Sequence, residues 1–111
     1  MNQAKAITKF VRVNPRKARL TAGLIRGNSA EDALSQLRYA NTKAGRHLYK
    51  TLHSAVSNAE NQLDLRRENL VVLEVRVDEG ARFKRVKPRN KGGRHPILKK
   101  TSHLTIVVGE K

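Results

Sequence analysis

The sequence contains no cysteine and no tryptophan, and aromatic residues make up only 4% of its 111 residues. The missing cysteine excludes disulfide bridges, thiolate metal sites and thiol redox chemistry. The scarcity of rings argues against a protein that binds single strands mainly by stacking on them. No apolar run approaches the ~20 residues of a membrane-spanning helix, and the N-terminus lacks the apolar core of a signal peptide. We therefore expect a cytosolic protein that does not insert into membranes.

Acidic residues are also absent from a long segment, because none occurs between Glu79 and Glu110. Residues 81–100, the basic segment, contain nine cations: Arg82, Lys84, Arg85, Lys87, Arg89, Lys91, Arg94, Lys99 and Lys100. The segment has too few large apolar residues to offset the ~1–2 kcal/mol per residue that backbone ordering costs. A polyanion would stabilise it, since each neutralised phosphate releases condensed counterions. The sequence therefore predicts a nucleic-acid-binding arm, and a solvated, flexible loop is the alternative.

A second group of cations precedes the first acidic residue, Glu31. These N-terminal cations are Lys5, Lys9, Arg12, Arg16, Lys17, Arg19 and Arg26. Arg12, Arg16 and Arg19 have the spacing of one helix face, and this face has none of the acidic residues that exposed helices normally intersperse. An ordinary solvated helix face is the alternative. The formal net charge of +15 and the sequence pI near 11.2 favour a nucleic-acid partner.

Apolar spacing and capping residues predict three helices. They cover residues 15–26, residues 29–39 and, after Asn41-Thr42, a long stretch to about residue 63. Asn14-Pro15 begins the first helix, and Gly27 ends it in a left-handed conformation. Ser29, with Asp32 three residues later, resembles a capping box at the start of the second helix. Leu20 and Leu24 belong to the predicted apolar stripe of this helix.

Apolar alternation predicts strands over residues 4–13, 70–77 and 102–108. In the first strand, Phe10 shares a face with Ala4 and Ala6. In the second, Leu73 shares a face with Val75 and lies opposite Val72. The last two strands flank the basic segment, and Asn90-Lys91-Gly92-Gly93 suits a chain reversal. We therefore expect one domain, with a globular body of residues 1–80 and 101–111 and an extended β-hairpin of residues 81–100.

The four histidines, His47, His53, His95 and His103, do not suggest catalysis. No two of them have the spacing of a helical ligand pair, and no compact acidic cluster accompanies them for Mg²⁺. We expect no enzyme activity, no metal site and no cofactor. Two other functions remain open: a β-ribbon DNA-binding architectural protein, which predicts dimers and bent duplex DNA, and a ribonuclease that uses the histidines.

Several separated motifs resemble the bacterial large-subunit ribosomal protein twenty-two family, in the same order and over nearly the whole chain. The matching stretches are residues 13–20, 24–27, 54–60, 77–80, 84–85, 88–89, 91–92 and 98–105. The distal side of the hairpin departs from the family pattern at Gly93-Arg94 and at His95-Pro96. The combination is more specific than any one motif.

The resemblance implies an α+β fold, with three helices packed on a small three-stranded antiparallel sheet and a long protruding β-hairpin. It also implies a structural constituent of the large ribosomal subunit that binds large-subunit rRNA through both groups of cations and supports subunit assembly. The implied hairpin tip, part of the wall of the polypeptide exit tunnel, comprises Pro88, Arg89, Asn90, Lys91, Gly92, Gly93 and Arg94. The implied partners are rRNA, neighbouring ribosomal proteins and the nascent polypeptide, with no homo-oligomer.

Overall fold

The structure is a computed structural model that describes residues 3–40, 42–88 and 94–110, with the backbone alone described between residues 81 and 99. The order of elements is β1 (Gln3–Val11), α1 (Pro15–Ile25), α2 (Ala30–Tyr39), α3 (Lys43–Leu63), a 3₁₀ turn (Arg67–Asn69), β2 (Leu70–Pro88) and β3 (Arg94–Glu110). This arrangement confirms the predicted α+β fold with three helices and three antiparallel strands. Within the described residues, no helix is long and apolar enough to cross a bilayer.

The strands lie in the order β1-β3-β2, so that the C-terminal strand is central and the other two form the edges. The helices cover one face of the sheet, and the side chains of β3 that face them, Leu104, Ile106 and Val108, are fully buried. Ala4 and Ala6 of β1 are paired with Val108 and Ile106 and bury the same face. None of the helices in the described residues packs on the other face of the sheet.

Side-chain caps begin all three helices. Asn14 Oδ1 accepts a hydrogen bond from Arg16 N at 3.0 Å, Ser29 Oγ from Asp32 N at 3.3 Å, and Thr42 Oγ1 from Gly45 N at 3.0 Å. Each bond satisfies one of the backbone donors that a helix leaves without an internal partner at its start. The caps at Asn14 and Ser29 were predicted from the sequence, and so was the left-handed conformation of Gly27, whose φ is +84°.

Two β-bulges overturn the predicted faces of β1 and β2. β1 has two residues, 9 and 10, between Thr8 and Val11, whereas β3 has only one residue between their partners Leu104 and Ser102. Phe10 therefore does not share the buried face of Ala4 and Ala6. One extra residue at Leu73 turns that side chain outward, while Val72 is buried together with Val75. Both predictions were wrong because an inserted residue reverses the alternation of faces.

The pairing of β2 with β3 continues from the body through the basic segment to Pro88 and Arg94. A third bulge lies where the basic segment begins, with residues 80 and 81 opposite Thr101. A Cβ on Gly80 would lie 2.5 Å from Thr101 Oγ1, so glycine is what this close approach permits. The predicted reversal at residues 90–93 lies outside the described residues.

Helix α1 packs against β2 through small side chains, and this corrects two sequence predictions. Ala18, Ala22 and Ile25 are fully buried, whereas Leu20 and Leu24 are 73% and 69% exposed. The small alanine side chains allow this face of the helix to lie close to the sheet. Leu20 and Leu24 lie on the opposite face of the helix and are therefore exposed to solvent. The helix begins at Pro15, so Arg12 precedes it and does not belong to the predicted helix face.

Candidate functional site

The N-terminal cations form an exposed surface without acidic partners. All seven are exposed, and none of them forms an ion pair within the described part of the chain. The ion pairs there join Arg67 to Glu60 at 2.8 Å and Arg76 to Glu74 at 3.5 Å, on other parts of the body. Unpaired charges of one sign raise the local positive potential, which attracts an anionic partner.

Two helix N-termini meet at a groove of about 500 Å³, which we call the cationic groove. Its lining residues are Arg12, Val13, Asn14, Lys17, Leu20, Thr21, Thr42, Lys43 and Ala44. Neither α1 nor α3 has an acidic residue in its first turn. The partial positive charge of each helix N-terminus therefore adds to that of three side chains, a combination that suits phosphate.

Helix α3 contributes to the cationic groove, which the sequence pattern did not predict. Lys43 lines the groove, and Arg46 lies exposed in the same first turn, close to the cap at Thr42. The sequence signal was present, because a capping threonine is followed by cations and no acid. The sequence alone does not show that tertiary packing brings the N-terminus of α3 beside the N-terminus of α1.

Arg19 and Arg26 have a structural partner that the sequence did not predict. Arg19 Nε donates to the carbonyl oxygen of Val77 at 3.2 Å, and Arg26 Nη2 donates to that of Val75 at 2.7 Å. Because β2 is an edge strand, these carbonyls have no strand beyond them, and the arginines cap part of the edge. A guanidinium has five N–H donors, so each arginine retains donors that can bind phosphate.

The α1–α2 connection covers the first part of the same edge. Gly27 N donates to Val72 O at 3.0 Å, and Val72 N donates to Asn28 O at 2.9 Å. At the other edge of the sheet, Asn58 Nδ2 donates to Lys5 O at 3.1 Å, which ties α3 to β1. The Asn58 contact helps to hold the β1 backbone at Lys5, whose side chain is exposed.

Phe10 and His103 form an aromatic pair at the bulge in β1. Phe10 N donates to His103 Nδ1 at 3.0 Å, and the two rings stand at 85° with centroids 4.8 Å apart. Phe10 has a φ of +57°, a left-handed conformation that costs a non-glycine residue about 1–2 kcal/mol. Its side chain is nevertheless 59% exposed. The backbone is thus held in an unfavourable conformation that presents a ring to solvent.

His47 lies among the cations at the start of α3. Partial burial lowers its pKa from the usual 6.5, and the neighbouring charges of Lys50, Lys43 and Arg46 lower it further. The pKa of His47 is therefore sensitive to anything that neutralises those charges. Within the described residues, no group of three or more histidine or acidic side chains is arranged to hold a metal ion.

The cations of the basic segment divide into three groups in the structure. The backbones of Arg82, Lys84, Arg85, Lys87, Arg94 and Lys99 lie in the paired strands β2 and β3. Lys100, at the end of the segment, has an exposed side chain. Arg89 and Lys91 lie outside the described residues.

Comparison with known proteins gives one consistent family. The profile of the family described as Ribosomal protein L22p/L17e matches residues 6–109. "Large ribosomal subunit protein uL22" of Protochlamydia amoebophila (strain UWE25) is 64% identical over 108 residues, which cover 97% of each chain. The proteins of the same name from Chlamydia trachomatis serovar L2 and Chlamydia pneumoniae are each 57% identical over 107 residues, which cover 96% of both chains. The chain therefore belongs to the ribosomal protein L22p/L17e family.

Proposed function

We propose that this chain is a structural, non-enzymatic constituent of the large subunit of the cytoplasmic ribosome and binds large-subunit rRNA. The observation that carries the proposal is the cationic groove, where Arg12, Lys17 and Lys43 lie at two helix N-termini. Family membership supports the same function, since the curated relatives are named as large-subunit proteins.

In this proposal the body binds RNA by its phosphates. The groove and the neighbouring cations Lys5, Lys9 and Arg16 neutralise phosphates, while Arg19 and Arg26 use the donors that the edge of β2 leaves free. Phosphate contacts fix the register of the protein on the RNA, and specificity comes mainly from RNA shape, because the deep major groove of A-form RNA excludes side chains.

The basic segment extends the binding surface as a β-hairpin that leaves the body. Its cations bind rRNA along the shaft, and its tip, residues 88–94, lines the polypeptide exit tunnel beside the nascent chain. The pairing of β2 with β3 as far as Pro88 and Arg94 supports a continuous hairpin. Ordering by RNA during assembly offsets the repulsion among its cations. Neighbouring ribosomal proteins are further partners, and the chain acts as a single copy.

Competition binding tests the proposed partner. The purified chain is bound to labelled large-subunit rRNA and challenged with unlabelled large-subunit rRNA, small-subunit rRNA or duplex DNA at equal phosphate concentration. We expect unlabelled large-subunit rRNA to compete best. Equal competition by duplex DNA would contradict the proposal and favour a DNA-binding architectural protein.

The tunnel contact needs a separate experiment. A photoreactive group attached at Lys91 is expected to crosslink to a stalled nascent chain in reconstituted ribosomes, whereas the same group at Arg66, an exposed position on the body, is not. Equal crosslinking from the two positions, or none from Lys91 in ribosomes that contain the protein, would contradict the placement of the tip.

A further inference from the structure

The Phe10–His103 pair is a feature that phosphate binding does not use. We propose that Phe10, supported by His103, is a stacking platform for one unpaired nucleobase of the bound RNA. The inference rests on the proposed function, because it names a group on the same RNA partner. Stacking on Phe10 adds a base contact to a surface that otherwise binds RNA through charged side chains.

The ring of Phe10 has a free face. His103 stands nearly perpendicular to it, so whichever ring points its edge at the other, His103 covers at most one face of Phe10. The 59% exposure of Phe10 shows that the rest of the body leaves most of the ring open. Bases of single-stranded loops and bulges stack on such rings, and this stacking tolerates any base because each has a π-face.

The platform is held in place from two sides. Phe10 N donates to His103 Nδ1 at 3.0 Å, and the His103 ring packs over Gly80, where a Cβ would lie 3.2 Å from ring atoms Cε1 and Nε2. The positive φ of Phe10 is maintained by these contacts and by the bulge. A backbone outlier that the surroundings hold in place is a reason to look for function at that residue.

The surroundings of Phe10 suit a nucleotide, which has both a base that can stack and phosphates that cations can bind. Phe10 lies with His103 on the sheet face opposite the one that the described helices cover, and Lys9 and Arg12 are exposed on either side of it in the chain. Ile7, which is 48% exposed, is on the same strand. Asp78, paired with His103 in the sheet, is an acidic side chain on the β2 side, so we place the base on the β1 side. Lysine and arginine beside a ring can bind the phosphates that flank a stacked base.

The lack of tryptophan in the chain provides a direct test. Phe10→Trp introduces a single fluorophore at the platform, and Tyr39→Trp introduces one at a control site on α2 that is 78% exposed. Each variant is titrated with large-subunit rRNA at fixed salt concentration. We expect quenching of tryptophan emission at position 10 and none at position 39. An RNA complex that forms with unchanged emission at position 10 would overturn the stacking platform.

Affinity provides a second test that separates stacking from charge. Phe10→Leu keeps an apolar side chain but loses the ring, and we expect roughly tenfold weaker binding with an unchanged salt dependence. Phe10→Tyr is expected to bind like the original chain. Original affinity in Phe10→Leu would overturn the inference. If the unmodified chain itself fails to bind rRNA, it is the proposed function that falls, so the two failures are distinguishable.

Discussion

The two ends of α3 border cavities of similar size that differ in the charges of their lining residues. The cationic groove at its N-terminus, about 500 Å³, has three cations and no acid in its lining. The cavity at its C-terminus, about 610 Å³, is lined by Glu60, Asp64 and Glu68 together with Arg66 and Arg67. We call these regions the cationic end and the mixed end. The charges of their linings differ: only the mixed end has acidic side chains. On the proposed function, the cationic end is the one that attracts RNA phosphates.

The arrangement of charge along α3 works against the stability of the helix itself. Cations at a helix N-terminus and acids near a C-terminus oppose the macrodipole, each by about 0.3–1 kcal/mol when exposed. Lys43 and Arg46 occupy the first turn, and Glu60 lies in the last. A phosphate bound at the N-terminus of α3 would offset the repulsion between the macrodipole and the cations of the first turn. Phosphate binding would therefore stabilise the helix.

The largest expected effect comes from removing the hairpin. Deletion of residues 84–94 leaves Phe83 paired with Lys99 and joins them by a four-residue loop. The buried core that the structure describes consists of residues outside this span, so we expect cooperative thermal unfolding to persist. Because six cations are lost, affinity for large-subunit rRNA should fall about a thousandfold or more at physiological salt. Non-cooperative unfolding of the deletion variant would contradict the division into body and hairpin.

The second prediction compares the cationic groove with exposed cations elsewhere on the body. Lys17→Gln with Lys43→Gln removes two charges from the cationic groove, and Arg38→Gln with Arg66→Gln removes two from exposed positions away from it. We expect the first pair to weaken rRNA binding roughly ten- to twentyfold and the second to change it little, since of these four cations only Lys17 and Lys43 line the groove that we propose binds phosphates. Filter binding measures both. Equal losses would show that net charge alone determines affinity.

The third prediction concerns stability where the hairpin leaves the body. Gly80→Ala places a Cβ against Thr101 Oγ1 and His103, and we expect thermal unfolding to show a loss of about 1–3 kcal/mol. The matched control is Gly23→Ala in α1, where a Cβ would meet nothing within 4 Å. That change should stabilise the helix by about 0.5–1 kcal/mol. A neutral Gly80→Ala would mean that the junction is loosely packed.

The smallest effect is a pH dependence at the cationic end. Since the pKa of His47 is lowered in the folded chain, the unfolded chain binds this proton more readily, and stability decreases as pH falls from about 6.5 toward the folded pKa. His47→Gln should remove this part of the pH dependence. Bound RNA offsets the charges of Lys50, Lys43 and Arg46, so NMR titration should find a higher His47 pKa in the complex. A pKa that RNA leaves unchanged would place the phosphates elsewhere.

Local features of the fold were predictable because they depend on neighbours in sequence. The caps at Asn14 and Ser29 and the left-handed Gly27 depend on residues within one turn of the chain. The predicted helices agree with α1, α2 and α3 to within a few residues. The N-terminal cations are all exposed, and their role in binding rRNA stays a prediction.

Features that depend on tertiary structure were not predictable from the pattern. The bulges at Phe10 and Leu73 reverse an alternation that looks regular in the sequence. The roles of Arg19 and Arg26 at the edge of β2 depend on the strand order β1-β3-β2. The position of Lys43 in the lining of the cationic groove depends on how α3 packs beside α1. The spacing of residues along the sequence does not predict that packing.

The salt dependence of rRNA binding is the sharpest test of whether the exposed cations bind RNA phosphates. The affinity of the full chain for large-subunit rRNA is measured between 50 and 200 mM salt. If about six phosphates are neutralised by the hairpin, these contacts alone give a log–log slope of about −4 to −5, and the groove cations make it steeper. The Lys17→Gln and Lys43→Gln pair should reduce its magnitude by about 1.5. A slope near zero would contradict an account in which the exposed cations bind RNA by its phosphates.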